Sequence, residues 1–222
     1  MKKLLVLLLL SGLILSGFSQ NSKDEMLNEL GLMIAPGFSM INGGESWSGT
    51  LGMQIGVETQ VYKWNENSSI YTGLLLSLQG ASYEETYSSD HYMLKSGMSE
   101  DSWKGKVSLA YISIPILFNY LTNSGVYLEG GVQPGFLISA KDKPDGASGY
   151  DYKESIKTFD LGIPVGAGFW INGKLSVGAR AVFGLTSINT SHAIDMGENS
   201  SDKNFLLLGI VRYKFNKKND DR

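Results

Sequence analysis

Apolar and polar residues alternate between Phe159 and Ile188, on both sides of an Asn-Gly pair. Apolar side chains take every second position before and after that pair, at Leu161, Ile163, Val165, Ala167, Phe169 and Ile171, then at Leu175, Val177, Ala179, Ala181, Phe183 and Leu185. A period of two indicates β-strands, and Asn172-Gly173 favours a type I′ hairpin turn. Because a tilted strand of roughly 9–11 residues crosses a bilayer, this hairpin predicts part of a transmembrane β-barrel.

The same alternation predicts six further strands, at residues 29–41, 51–62, 72–79, 109–121, 128–139 and 205–215. After the first loop, the predicted connections alternate in length. The short ones are residues 64–69, 122–125 and 172–173, and the long polar ones are 84–104, 141–156 and 189–203. Outer-membrane barrels have an even strand number, short periplasmic turns and long extracellular loops. The pattern therefore predicts an all-β, eight-stranded, antiparallel up-and-down transmembrane barrel.

A proline interrupts the pattern in the fourth predicted strand. Pro115 has no N–H to donate to a neighbouring strand, and a proline inside a sheet usually marks an edge or a bulge. A closed barrel has no edge, so we expect a local bulge at this position.

Charged residues within the strands fall on the parity opposite to the apolar one. They are Glu58, Glu129, Asp160, Arg180, Arg212 and Lys214. On the lipid face, an Arg or Lys at mid-depth would cost about 2–4 kcal/mol, so these six are expected to point inward. Eight strands leave an interior just wide enough for side chains, and we predict a charge network that plugs the lumen. A soluble, lipocalin-like barrel with an apolar interior is the alternative, because the period alone does not tell inside from outside.

Aromatic residues cluster at the strand ends that the short turns join. They are Tyr62, Trp64, Tyr71, Tyr120, Tyr127, Trp170, Tyr213 and Phe215. Such clustering predicts one aromatic girdle at a membrane interface.

The two ends of the chain differ from the barrel segment. Residues 1–19 combine Lys2 and Lys3, an apolar run and small residues before Gln20, which predicts a secretory signal peptide. Residues 20–28 are predicted to be a periplasmic lead-in, residues 29–215 the barrel, and residues 216–222 a polar C-terminal tail.

Composition narrows the possible functions. The formal net charge is −3, and loss of the two leader lysines would make it −5, which argues against nucleic acid as a partner. The absence of cysteine excludes disulfides, thiol nucleophiles and a lipoprotein anchor. His91 and His192 lie near serines and acids in predicted loops, but no spacing ties a nucleophile to a base. We therefore expect no catalytic residues, no metal site and no cofactor.

Several segments resemble the outer-membrane β-barrel family common in Bacteroidota, described as porin-like or PorT-like. They are YISIPILFNYL, VYLEGGVQPGFLISAK, FDLGIPVGAGFWI, FGLTSI and VRYKF. The resemblance implies an eight-stranded barrel inserted by the outer-membrane assembly machinery, with Tyr213 and Phe215 as the terminal assembly signal. It does not imply a single function, because fold does not determine function.

Together these features predict a non-enzymatic barrel in the cell outer membrane, with a plugged lumen and a structural or loop-mediated binding role. The expected partners are outer-membrane lipid, lipopolysaccharide and the assembly machinery. Acidic loop residues offer a way to bridge divalent cations to lipopolysaccharide phosphates. A narrow porin, or a component of a secretion or assembly system, is the alternative, and a surface or secretion-system protein partner is left open.

Overall fold

A computed structural model describes residues 30–43, 47–86, 102–151, 153–189 and 202–215. The long strands are β1 (Gly31–Asn42), β3 (Thr50–Lys63), β4 (Ser68–Thr86), β5 (Ser102–Ser113), β6 (Ile116–Leu121), β7 (Val126–Pro144), β9 (Phe159–Trp170), β10 (Leu175–Gly184) and β11 (Lys203–Lys214). Two short strands, β2 (Trp47–Ser48) and β8 (Tyr150–Asp151), and one 3₁₀ turn (Lys153–Ser155) complete the described elements. Among the described residues, no helix has the length and apolar character needed to cross a membrane.

The long strands form a closed antiparallel ring. β1 pairs with both β3 and β11, so that Leu32 lies opposite Val57 on one side and Tyr213 on the other. The ring continues through β4, β7, β9 and β10, with β5 and β6 acting as two halves of one strand between β4 and β7. The predicted eight-stranded up-and-down barrel is therefore confirmed.

One end of the barrel, here called the turn end, carries the three short connections at residues 64–67, 122–125 and 171–174. It also joins the two ends of the ring, because the Phe215 N–H donates to the Leu30 carbonyl at 2.8 Å. The opposite end, the loop end, carries the longer connections. The hairpin turn differs from the type I′ prediction, since Gly173 is not among the described glycines with positive φ. Instead, the Asn172 side chain organises the turn, its Oδ1 accepting from the N–H groups of Lys174 and Leu175 at 2.8 Å.

The apolar parity faces outward, as predicted. Leu51 and Phe38 are 77% and 60% exposed, whereas Gln54 and Ser39 on the other parity are fully buried. A large apolar exterior around a partly polar interior is the arrangement that lipid requires, and it contradicts the lipocalin-like alternative.

The predicted bulge at Pro115 is wrong. The regular pairing is interrupted at Ile114 and Pro115, although the Ile114 N–H still donates to the Pro134 carbonyl at 2.9 Å. Ser113 opposite Gly135 and Ile116 opposite Val132 keep the same register, so no residue is inserted. The Pro115 carbonyl instead accepts a hydrogen bond from Thr72 Oγ1 at 2.9 Å.

The actual bulge in this part of the barrel lies in β7. Ala110 pairs with Ser139 and Tyr111 with Leu137, which leaves Ile138 as the extra residue. Beyond it the parity inverts, and Ala140 rather than Ser139 is buried. Before Ile138 the odd-numbered side chains of β7 point inward, and after it the even-numbered ones do.

Aromatic side chains form two outward belts rather than the single girdle we predicted. At the turn end, Tyr62, Trp64, Tyr120, Tyr213 and Phe215 are exposed. Tyr71, Tyr127 and Trp170 instead lie on the inward parity of their strands, and Tyr71 and Tyr127 are buried. Towards the loop end, a phenylalanine belt contains Phe38, Phe136, Phe159, Phe183 and Phe205, with ring centroids 5.6 Å apart for Phe136 and Phe159 and 5.2 Å for Phe183 and Phe205.

Several sequence predictions concern residues outside the described ranges. The signal peptide, the lead-in and the polar tail fall in residues 1–29 and 216–222, and His91 and His192 also lie outside the described ranges. They stay predictions.

Candidate functional site: the barrel interior

Four buried charged side chains form a ring across the barrel near its turn end. Arg180 donates to Glu129 Oε1 from Nε at 2.7 Å and to Glu58 Oε1 from Nη2 at 3.0 Å. Arg212 donates to Glu58 Oε2 from Nε at 2.8 Å and to Glu129 Oε2 from Nη2 at 3.1 Å. Each carboxylate thus bridges both guanidinium groups. We call these four residues the charged ring.

The charged ring joins three parts of the barrel wall, because β10 and β11 are neighbours whereas β3 and β7 lie elsewhere in the ring of strands. Glu58 is on β3, Glu129 on β7, Arg180 on β10 and Arg212 on β11. Gly166 lies between the partners, opposite Arg180 on one side and Glu129 on the other. A Cβ there would lie 2.9 Å from Glu129 Oε1, so the absence of a side chain at Gly166 makes room for the ion pair.

The charged ring is electrically balanced and excluded from water. Arg180 is 0% exposed and the other three members are 6% exposed or less. Burying an ion is costly unless the geometry is good and the remaining donors and acceptors are used. Here both oxygens of each glutamate accept hydrogen bonds, and two acids meet two bases. The four charges therefore compensate one another, and Arg180 Nη1 makes one further contact, to Met33 Sδ at 3.7 Å.

The structure brings together four of the six charged residues that we predicted to interact, and places the other two elsewhere. Lys214 lies closer to the turn end, its Nζ 4.6 Å from the centroid of the Trp170 ring and 5.5 Å from that of Tyr71. Asp160 lies towards the loop end and accepts hydrogen bonds from Thr186 and Asn204. All six side chains lie on the inward parity of their strands. Lys214 and Asp160 lie at other depths along the barrel axis, so they do not join the charged ring.

An apolar layer lies against the charged ring and extends towards the loop end, and a polar layer around Asp160 follows it. The apolar layer, the mid-barrel cluster, contains Met33, Ala35, Leu75, Val182, Leu206, Leu208 and Ile210. Val182 and Leu206 also line a small cavity in the polar layer, together with Asp160 and Tyr111. The interior is thus layered by polarity along the barrel axis.

A second apolar cluster fills the interior at the loop end. This loop-end cluster contains Ile41, Ala81, Val107, Leu109, Tyr111, Leu137, Ala140, Ile156 and Ile188. Ile156 and Ile188 come from connections rather than from strands, and the Lys157 N–H donates to the Ile188 carbonyl at 2.6 Å. Two connections are therefore folded inward over the barrel.

A buried carboxylate joins the sheet at the loop end. Asp142, on β7 beyond the bulge, accepts from Tyr83 Oη at 3.0 Å and from Tyr150 Oη at 2.7 Å. Tyr83 also packs edge-on against Trp47 of β2, with ring centroids 5.9 Å apart. These contacts attach the short strands β2 and β8 to the long hairpin strands β4 and β7.

The two residues of the assembly signal lie together at the turn end. Tyr213 and Phe215 are 43% and 46% exposed, and their ring centroids are 5.5 Å apart in an edge-to-face arrangement. Both side chains point outward from the barrel, so another protein or lipid is able to reach them.

Sequence reasoning missed part of the polar layer. No role was predicted for Gln79, Gln133, Tyr111 or Asn204. All four line the cavity beside Asp160. The available signal was that these polar side chains lie at inward-facing positions of their strands, as Asp160 does.

The architecture is shared with known proteins. A family model described as an outer membrane protein β-barrel domain matches residues 11–189, more than half of the chain. Among solved structures, the chain is similar to Neisserial surface protein A, with 13% identity, 84% of this chain and 97% of that chain covered, and a TM-score of 0.48. A comparison with curated proteins gave no match.

Two further solved structures are similar to the chain. Ail, the attachment invasion locus protein of Yersinia pestis, solved with the heparin analogue sucrose octasulfate, has 12% identity, 86% and 100% coverage and a TM-score of 0.47. The outer membrane protease OmpT of Escherichia coli has 12% identity, 89% and 100% coverage and a TM-score of 0.39. These likenesses are too distant to transfer a function.

Proposed function

We propose that this chain, which belongs to the outer membrane protein β-barrel domain family and lies in the outer membrane, is a non-enzymatic barrel with a plugged interior. In this proposal it acts as a structural or loop-mediated binding protein at the cell surface. The observation that carries the proposal is the filled interior: the charged ring, the mid-barrel cluster and the loop-end cluster follow one another along the axis. A porin would need a continuous water-filled path instead.

The plugged interior predicts a very low conductance for the purified barrel in planar bilayers. The charged ring is held by four mutual ion-pair contacts, and solute flow would require breaking them. Single-channel recording of the wild-type protein measures this directly. A large and steady conductance would refute the plug and favour the narrow-porin alternative.

The binding role is assigned to the loop end because it carries the long connections, which face outward in outer-membrane barrels. The strands β4, β5 and β7 extend there beyond the phenylalanine belt and are flanked by β2 and β8. This extension offers an ordered surface for a partner outside the membrane.

An epitope inserted between Asp145 and Gly146 is expected to bind antibody on intact cells. These residues form an exposed turn after β7, where an insertion breaks no strand pairing. Whole-cell labelling is the measurement, and an epitope in the 122–125 turn, at the opposite end of the barrel, is the matched control. Labelling of the Asp145 site only after lysis would invert the proposed topology.

The proposed lipid partners are outer-membrane lipid and lipopolysaccharide. Beyond the phenylalanine belt, Lys106 lies directly opposite Lys143, with Lys141 two residues away on the same exposed face. Like charges placed directly opposite each other are destabilising, and lipid phosphates would offset this repulsion. Glu84 is less suited to bridging a divalent cation to phosphate, because it pairs with Lys104 Nζ at 2.6 Å.

The outer-membrane assembly machinery is the proposed protein partner during insertion, through the outward rings of Tyr213 and Phe215. The porin-like or PorT-like subgroup of Bacteroidota remains the proposed affiliation within the family. It rests on the segments that carry the resemblance.

A further inference from the structure

A polar chamber lies inside the barrel between the mid-barrel cluster and the loop-end cluster. Its volume is about 10 Å³, roughly the space that one water molecule or one small ion needs. Its polar lining comes from opposite walls and contains Asp160, Gln79, Gln133, Asn204, Ser113 and Tyr111. None of these residues belongs to the charged ring, so the chamber is a separate site.

The carboxylate in this chamber has only neutral hydrogen-bond donors among the described residues. Asp160 is 8% exposed and accepts from Thr186 Oγ1 at 2.6 Å and from Asn204 Nδ2 at 2.8 Å. The two arginines inside the barrel, Arg180 and Arg212, are engaged by the glutamates of the charged ring. Buried charges are normally paired or bound to a metal, so the charge of Asp160 calls for a cation.

Three more oxygens of the chamber lack a hydrogen-bond donor within the described part of the chain. They are Gln79 Oε1, Gln133 Oε1 and Asn204 Oδ1, on side chains that are 7%, 5% and 4% exposed. The orientation of the Asn204 amide is set by its donation to Asp160, which leaves Oδ1 as an acceptor. One water molecule has two hydrogens, which is too few for three orphan acceptors and a carboxylate.

We propose that the polar chamber binds a single monovalent metal cation, Na⁺ or K⁺. Hard cations prefer carboxylate, amide and hydroxyl oxygens, which are the atoms that line the chamber. One positive charge would balance Asp160, whereas a divalent ion would leave an excess charge in a buried site. No cluster of three or more His, Cys, Asp or Glu side chains suited to a metal occurs among the described residues, which also disfavours multivalent or transition-metal ions.

Thermal unfolding of the full barrel in detergent micelles tests the proposal. The Tm is expected to rise and then saturate with NaCl or KCl, relative to choline chloride at the same ionic strength, because a ligand that binds only the folded state stabilises it. Choline is too large for the chamber and controls for ionic strength. The salt that acts at the lower concentration identifies the preferred ion.

Two chamber variants and one surface variant assign the effect. Asp160→Asn is expected to abolish the difference between metal and choline salts, and Gln133→Met, which removes one orphan oxygen at similar volume, to shift saturation to higher concentration. Glu84→Gln, at the exposed pair with Lys104, should keep the wild-type response. If Asp160→Asn fails to fold, Gln133→Met decides alone.

Two results would overturn the proposal. Identical Tm curves for the wild type in metal and choline salts would mean that the chamber holds water only. An undiminished metal response in the folded chamber variants would place the cation elsewhere. Neither result depends on whether the barrel conducts, so the inference and the proposed function fail separately.

Discussion

Replacing Arg180 with alanine is expected to lower the free energy of unfolding by about 3–5 kcal/mol. The side chain is fully buried and hydrogen-bonds both Glu58 and Glu129. Its loss leaves two buried carboxylates facing the single guanidinium of Arg212. An uncompensated buried charge is far more costly than an exposed one, and access of water to the enlarged interior would reduce the penalty.

Urea-induced unfolding of the refolded barrel measures this loss of stability. The conductance of the Arg180→Ala variant should at the same time be higher than that of the wild type. Arg180→Met keeps much of the side-chain volume, so it separates loss of charge from creation of a cavity. Adding Glu129→Gln to Arg180→Met restores charge balance with Glu58 and Arg212, and is expected to recover part of the stability. Lys104→Ala, which breaks an exposed ion pair, should change stability little. An Arg180→Ala variant as stable as Lys104→Ala would show that the charged ring does not stabilise the barrel.

Replacing Val132 with arginine is expected to cost about 2–4 kcal/mol in a phospholipid bilayer, the penalty for Arg on the lipid face at mid-depth. Val132 is 42% exposed on the outward parity of β7, between Val126 at the turn end and Phe136 in the phenylalanine belt. The guanidinium would have to lie in hydrocarbon or reach out of it.

The matched control is Val126→Arg, at the end of the same strand. A charge near the interface costs only about 0–1 kcal/mol, although the two valines have nearly equal exposure, 40% and 42%. Unfolding in lipid vesicles distinguishes the pair. Equal stability of the two variants would contradict the assigned depth of Val132 in the membrane.

The strands and their inward and outward faces were readable from the sequence because both depend on local order. Leu32 and Met33 must point to opposite sides of β1 whatever the neighbouring strands do. The lipid then dictates which parity is apolar, and the charges on the other parity reveal the interior. The same rule would have sorted Tyr71, Tyr127 and Trp170, which we assigned by their distance along the strands alone.

Only the closed barrel decides which of the inward side chains contact one another. The stagger between strands sets the depth of each residue, and no local pattern encodes that stagger. It brings Glu58 and Glu129 to both arginines, while Asp160 and Lys214 share their parity but lie at other depths.

The bulge and the loop-end cluster also depended on tertiary structure. Pro115 is accommodated without an inserted residue, whereas Ile138, which carries no local signal, is the inserted one. Ile156 was assigned to a polar loop and Ile188 to the end of the alternating stretch, but both lie in connections and are buried in the cluster that contains Leu137. The sequence by itself determined the number of strands and the face that meets lipid, because alternation is local. The charged ring, the polar chamber and the loop-end cluster follow from contacts between residues far apart in the chain, which exist only once the ring of strands closes.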